Sequence, residues 1–167
     1  NVLSMLCRLG RRTAFIGKVG RDGFGMQLEG VLKDVGIDTR GLCWDERVHT
    51  TLAVVQTLPG GDRDFSFYRE PGADMMLENG DIVPGLADNC RIFHFGTLSM
   101  THPAPREATH AAIAAAKESG ALISFDPNLR PPLWHSLEDA AAQMRVGLAL
   151  CDLLKIADNA IEFLTGE

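Results

Sequence analysis

Several short stretches have the residue types and spacing to do chemistry. Asp126-Pro127-Asn128-Leu129-Arg130 sets a carboxylate, an amide and a guanidinium within five residues. Pro127 biases Asp126 away from helix, and Pro131-Pro132 stiffens the exit. Polar groups on so stiff a loop suit hydroxyl or phosphate recognition, with Arg130 able to fork onto an anion. The same groups could equally close an internal turn network in which Arg130 pairs with an acid. Tyr68, the only tyrosine, stands beside Arg69; the two read as a surface pair or as contacts reaching a ligand. Gly17-x-x-Gly20-x-Asp22-x-x-Gly25 spells neither a P-loop nor the dinucleotide fingerprint. It reads as a tight turn with Asp22 capping the next helix. His49, His94, His102, His110 and His135 show no metal-ligand spacing, and His94, between Phe93 and Phe95, reads as a packed strand residue.

The elements that must position these groups follow from periodicity and breakers. Val2 to Arg8 reads as the end of a helix stopped at Gly10. Thr13 to Val19 is a strand, and the helix from about Phe24 to Val35 carries an apolar face of Leu28, Val31, Leu32 and Val35 before Gly36 ends it. Gly41 to Trp44 is expected to open a β-ribbon. Its hairpin is Thr50 to Thr57, the turn Pro59-Gly60-Gly61-Asp62, and Asp64 to Arg69. Beyond Leu77 the pattern changes. Arg91 to Gly96 reads as a buried strand and Pro103 to Ser119 as an Ala-rich helix. Ala121 to Phe125 is a strand, Ser136 caps a helix through Leu150, Asp152 to Ile156 is a strand, and Asn159 to Leu164 a helix. Strands alternating with helices over short connections predict an α/β fold, a Rossmann-like parallel sheet with flanking helices, carrying a small β-ribbon lid. Ligands in such sheets bind outside the carboxyl ends of the strands, which points at Gly96–Met100, Asp126–Arg130 and Ala157–Ala160. The division expected is residues 1–36 and 78–167 for the α/β body and 37–77 for the lid.

The totals exclude several classes. A net charge of −6 over 167 residues, with no cluster of Lys and Arg, argues against a nucleic-acid partner. No apolar run approaches a membrane span, so no membrane partner is expected. Cys7, Cys43, Cys90 and Cys151 are scattered without a C-x-x-C, which favours buried thiols in a reducing, cytoplasmic setting. The chain opens on an apolar pattern and closes at Leu164-Thr165-Gly166-Glu167 as a helix ends, so a segment of a longer polypeptide is expected.

Taken together, the stretches resemble one family. Asn1-Val2 through Leu9-Gly10, Phe15-Ile16-Gly17-Lys18-Val19-Gly20-Arg21-Asp22-Gly23-Phe24-Gly25 and Gly36-Ile37-Asp38-Thr39 are similar to successive parts of the ribokinase-like (PfkB) sugar kinases. Thr50-Thr51-Leu52-Ala53, Phe67-Tyr68-Arg69 and Ala73-Asp74-Met75 resemble the lid of the fructokinases among them. Phe93-His94-Phe95-Gly96, Asp126 to Arg130 with Leu133-Trp134, and Glu162-Phe163-Leu164-Thr165-Gly166 continue the match in order. The resemblance implies phosphoryl transfer from ATP with Mg²⁺ to a sugar hydroxyl. It implies substrate contacts from Asn1, Phe67, Arg69, Asn128 and Arg130, and places Asp126 and Asp158 near the phosphate and metal. It also implies that the catalytic base lies in a Gly-Ala-Gly-Asp loop; residues 1–167 hold no such motif, so no catalytic residue is assigned in this chain and inactivity alone is expected. Where the family usually carries an Asn or Ser and a Glu three residues later, Ala157 and Ala160 stand here, with Asp158 one position out of step. The close competitors are a 2-keto-3-deoxygluconate kinase, whose acid would suit the two arginines, and a sugar-binding relative without catalysis. An apolar ribbon face of Leu52, Val54 or Val55, Phe65 and Phe67 would be covered by pairing lids in a homodimer.

Overall fold

The computed structural model describes residues 1–61 and 63–166, so Asp62 of the expected hairpin turn lies outside the described residues. The chain forms two compact units, one of Asn1–Leu77 and one from Glu78 on.

In the first unit, α1 (Val2–Arg8) leads to β1 (Ala14–Gly20), α2 (Gly23–Val35), β2 (Asp38–Asp45), β3 (Leu52–Thr57) and β4 (Arg63–Tyr68). A 3₁₀ turn, Ala73–Met76, closes it. α1 stops where Gly10 takes φ 74°, a conformation open to glycine. β1 and β2 pair in parallel, Ile16 with Gly41 and Gly20 with Asp45. β3 and β4 form a separate antiparallel ribbon, Leu52 opposite Tyr68 and Val55 opposite Phe65. The stretch read as the ribbon's opening strand is therefore the middle of β2 and belongs to the parallel pair. Composition alone cannot show which neighbour a Gly-Leu-Cys-Trp strand will choose, because pairing is decided by partners distant in sequence. The expected apolar face of α2 is also only partly covered: Leu28 is 45% and Val31 52% exposed, while Ile37 and Leu42 are buried.

The second unit is a three-stranded parallel sheet in the order β5 (Ile92–Gly96), β6 (Leu122–Asp126), β7 (Leu153–Leu154). Between the strands run α3 (Pro103–Glu118) and α4 (Leu137–Leu150), and α5 (Asp158–Thr165) follows. One core joins Phe95 and Phe125 of the sheet, Ile113 and Ala116 of α3, Ala140 and Met144 of α4, and Ala160 of α5. The Phe95 and Phe125 rings stack at 4.6 Å. Small residues let the helices come close, and at Gly147 of α4 a Cβ would lie only 2.3 Å from the tip of the Phe125 ring. All the helices named in that core cover the sheet face that Phe95 and Phe125 share. On the other face Ile92 and Leu122, paired across β5 and β6, are each more than half exposed. β5 is thus covered on one side only and alternates accordingly, where the sequence reading has a strand buried throughout. Ser136 caps α4 by accepting from the Asp139 amide at 3.1 Å, with Glu138 and Asp139 in the first turn, as the sequence leads one to expect.

Candidate functional site

The polar residues of the first unit are fixed by one aspartate. Asp22 caps α2, its Oδ1 accepting from the Gly25 amide at 2.8 Å. The same carboxylate accepts from the Thr50 amide at 2.8 Å and the Thr50 hydroxyl at 2.9 Å. The Thr50 amide, followed by that of Gly25, holds the Asp22 carboxyl down to about 2. Thr50 in turn accepts from the Gly20 amide at 3.0 Å. The approach is close enough that a Cβ at Gly25 would strike the Gly20 carbonyl, so glycine is required there. The glycine turn is therefore a fastening between the head of α2 and the start of the ribbon, in agreement with its reading as a tight turn rather than a phosphate loop.

At the foot of the ribbon an open pocket of about 340 Å³ is lined by His49, Thr50, Phe67, Tyr68, Arg69, Glu70 and Pro71. It brings together Phe67 and Arg69 from the expected substrate contacts. Phe67 is half-buried, with its ring stacked 6.0 Å from that of Phe65. Tyr68, next along the strand, borders the pocket but is 66% exposed. Arg69 is 7% exposed, and its guanidinium forks onto Asp74 Oδ2 at 2.8 Å from Nε and 2.6 Å from Nη2. The other Asp74 oxygen accepts from Thr51 Oγ1 in a short hydrogen bond. A Cβ at Gly72 would collide with that threonine. Asn1 sits apart from this pocket, exposed at the head of α1.

In the second unit the loop leaving β6 is built from alternating burial. Pro127 and Leu129 are buried while Asn128 between them is exposed. Asn128 takes φ 44°, the only positive φ of a non-glycine residue among the described residues. Its amide donates to Asp126 Oδ1 at 3.2 Å, an Asx-type turn that asparagine tolerates in the left-handed region. Arg130 Nη1 donates to the Leu129 carbonyl at 2.9 Å. Asp126 faces Lys155, whose Nζ lies 3.2 Å from Oδ2. Asp126, Asn128 and Arg130 thus share one stiff loop at the carboxyl end of β6, and Asp158 is exposed in the first turn of α5. Lys155 is not marked in the sequence, and Asp74 stands there only as part of the Ala73-Asp74-Met75 stretch. Each is a charge partner distant from, or unmarked beside, the motif it serves, and a charge-pair scan between strand ends would have been the only signal. His94 is exposed on β5, with Nδ1 3.0 Å from Ser124 Oγ on the neighbouring strand, so it is a cross-strand partner rather than a packed residue.

A family model for the pfkB carbohydrate kinases matches residues 1–167. The chain belongs to this family. A probable fructokinase-3 of Arabidopsis thaliana is 43% identical over 165 residues, spanning 99% of this chain and 48% of that protein. A fructokinase-2 of Solanum habrochaites is 43% identical over 166 residues, 99% of this chain and 51% of that one. A Xylella fastidiosa fructokinase solved with bound ATP matches with TM-score 0.91 and 34% identity, over 99% of this chain and 51% of that chain. A Vibrio cholerae O395 fructokinase solved with fructose, ADP and calcium matches with TM-score 0.89 and 33% identity, over 99% and 53%. The α/β fold, with its parallel sheets and flanking helices, is therefore the ribokinase-like one of the PfkB kinases. The chain spans about half the length of the curated relatives it matches.

The two alanines expected to stand in place of polar residues lie at the last helix. Ala160 is 2% exposed and is packed into the core, and Ala157 heads α5 without a side-chain cap. No group of three or more His, Cys, Asp or Glu among the described residues could hold a metal ion. Asp126 has its charge answered by Lys155, and Asp158 is a single exposed carboxylate, so these two do not make a cation shell by themselves.

Proposed function

We propose that this chain is the sugar-binding and lid portion of a fructokinase-type kinase that phosphorylates a hydroxyl of a ketohexose. The observation that carries the reading is the match, end to end and in register, to fructokinases in both sequence and fold. ATP, accompanied by Mg²⁺, supplies the phosphoryl group in the complete protein. Transfer of this kind depends on positioning and on compensating charge. Asn1 and Asn128 hold and orient sugar hydroxyls through their amides, and Phe67 offers an apolar face to the ring. Arg69 and Arg130 bring guanidinium groups to the sugar and to the group being transferred, while Asp126 and Asp158 lie on the phosphate side. The β3–β4 ribbon with its flanking turns serves as the lid; β2, which the expected division at residues 37–77 gave to the lid, pairs with β1 of the α/β body instead. Metal is carried with the nucleotide phosphates rather than in a shell of this chain's own.

The chain alone is proposed to bind sugar without turning it over. A location in the reducing cytoplasm fits four half-buried cysteines, and among the described residues no helix is long and apolar enough to cross a membrane. The register divides the expected apolar face, putting Leu52, Val54 and Tyr68 on one side of the ribbon and Val55, Phe65 and Phe67 on the other; pairing of lids in a homodimer is favoured by the first side, where Val54 is 55% and Tyr68 66% exposed. A sugar-binding relative without phosphoryl transfer is the second reading, and the core position of Ala160 is what favours it.

The test is a coupled ADP-release assay on the complete gene product with fructose, ribose and 2-keto-3-deoxygluconate. Turnover fastest with fructose is expected; none with any of them overturns the kinase reading. Arg130→Ala should raise KM more for the acid substrate than for a neutral sugar, and an equal rise would remove the case for 2-keto-3-deoxygluconate.

A further inference from the structure

We propose that Thr97 is a positioning residue, one that holds the β6 loop in the shape that presents Asn128 to a sugar hydroxyl. The inference rests on the reading of Asn128 as a sugar contact and adds the device that aims it. Thr97 follows directly on β5 and is fully buried. Its hydroxyl donates a short hydrogen bond to the Pro127 carbonyl, and its amide points at the same oxygen from 3.4 Å. One residue therefore grips one carbonyl twice. That carbonyl belongs to the peptide group joining Pro127 to Asn128, so fixing it sets the plane from which Asn128 departs at φ 44°.

Two neighbours close off the alternatives. Gly96, paired with Asp126 across the two strands, comes so near that a Cβ there would lie 2.8 Å from the Asp126 carbonyl. Pro127 and Leu129 are buried on either side of Asn128, so the loop cannot turn over without exposing both. Removing the hydroxyl leaves the buried Pro127 carbonyl with only the long amide contact, and a buried acceptor short of a partner drives the peptide to rotate. The left-handed conformation of Asn128 is the costly one in this loop and is the first to relax.

The test compares Thr97→Val, which keeps the shape and drops the hydroxyl, with Thr97→Ser, which keeps the hydroxyl. Each is crystallised and titrated with D-fructose in a calorimeter. In Thr97→Val the Pro127–Asn128 peptide is expected to rotate and Asn128 to leave positive φ, with fructose affinity falling about tenfold. Thr97→Ser should restore both, which a merely space-filling role would not. An unchanged loop in Thr97→Val overturns the proposal, as does equal weakening by Val and Ser. Should the unsubstituted chain bind no fructose, the substrate reading fails alone, and the loop geometry in the valine variant still decides the role of Thr97. If Thr97→Val does not fold, the hydroxyl proton of Thr97 decides in the unsubstituted chain: slow exchange supports the clamp, and exchange at the solvent rate overturns it.

Discussion

The ribbon pocket and the β6 loop lean on different supports, although Asp126 and Lys155 add an ion pair to the loop. The loop stands on packing: Pro127 and Leu129 are buried and Phe125 below them is completely enclosed. The pocket stands on charge and hydrogen bonds, with Arg69 clasped by Asp74 and Thr50 fastened to Asp22. The ribbon's apolar residues contribute less, since Val54 and Val55 are half exposed, and Phe65 stacks on a half-buried Phe67. Apolar packing is insensitive to pH and salt, whereas fastenings through carboxylates are not. The two regions should therefore fail under different conditions.

The largest effect expected is from the packed side. Phe125→Ala should cost about 3–5 kcal/mol in chemical denaturation, because the ring is fully buried under α4 and its removal leaves a cavity. A loss under about 1 kcal/mol would show that the loop does not depend on the core beneath it. On the fastened side, Arg69→Ala should cost about 1–3 kcal/mol, discounted because the Asp74 side chain is 38% exposed and can be rehydrated. If Arg69→Ala and the double variant with Asp74→Ala are equally destabilised, the pair acts as a unit.

Asp22→Ala should cost about 1–2 kcal/mol through loss of the α2 cap. Its pH dependence sharpens the contrast. A carboxyl at about 2 when folded and near the ordinary aspartate value when unfolded gives a contribution that is full above the ordinary value. That contribution drains away as pH falls through the folded value, since the unfolded chain takes up the proton first. Acid should accordingly loosen the Gly20–Thr50 fastening, measured by amide exchange at Thr50, and Asp22→Asn should flatten that acid limb. The Thr97–Pro127 clamp contains no titrating group, so exchange at the Thr97 amide is expected to follow acid far less than that of the Ile123 and Asn128 amides, which donate to Asp152 and Asp126. The smallest effect belongs to the ribbon surface: Val54→Thr should move stability by less than about 0.5 kcal/mol. A change in sedimentation on Val54→Lys, with stability held, would report pairing of lids.

Local chemistry was legible in the sequence, and partners across space were not. Asp22 as a cap, Ser136 as a cap, the stop at Gly10 and the strand leading into Asp126-Pro127-Asn128 could all be read because each signal lies within a few residues of its effect. The assignment of Gly41–Trp44 to the ribbon went astray because β-pairing depends on a partner more than twenty residues away. Exposure at Leu28 and Ile92 could not be read either, since apolar spacing marks a face without saying how much of it this chain itself covers. Among the candidate residues, the Asp-Pro-Asn-Leu-Arg stretch was visible as a motif. Thr97 falls within the Gly96–Met100 strand end, but its role could not be read there, because its partner is a carbonyl 30 residues later.

Gly147 shows how the same logic would look to selection. Glycine within a helix sacrifices about 1 kcal/mol of propensity relative to alanine, so a naive repair would fill it. With the Phe125 ring where its first carbon would go, every replacement instead pries α4 off the strand that feeds the β6 loop. A saturation library at this codon, sorted for soluble protein, should return glycine almost alone, far from any ligand and for reasons of shape.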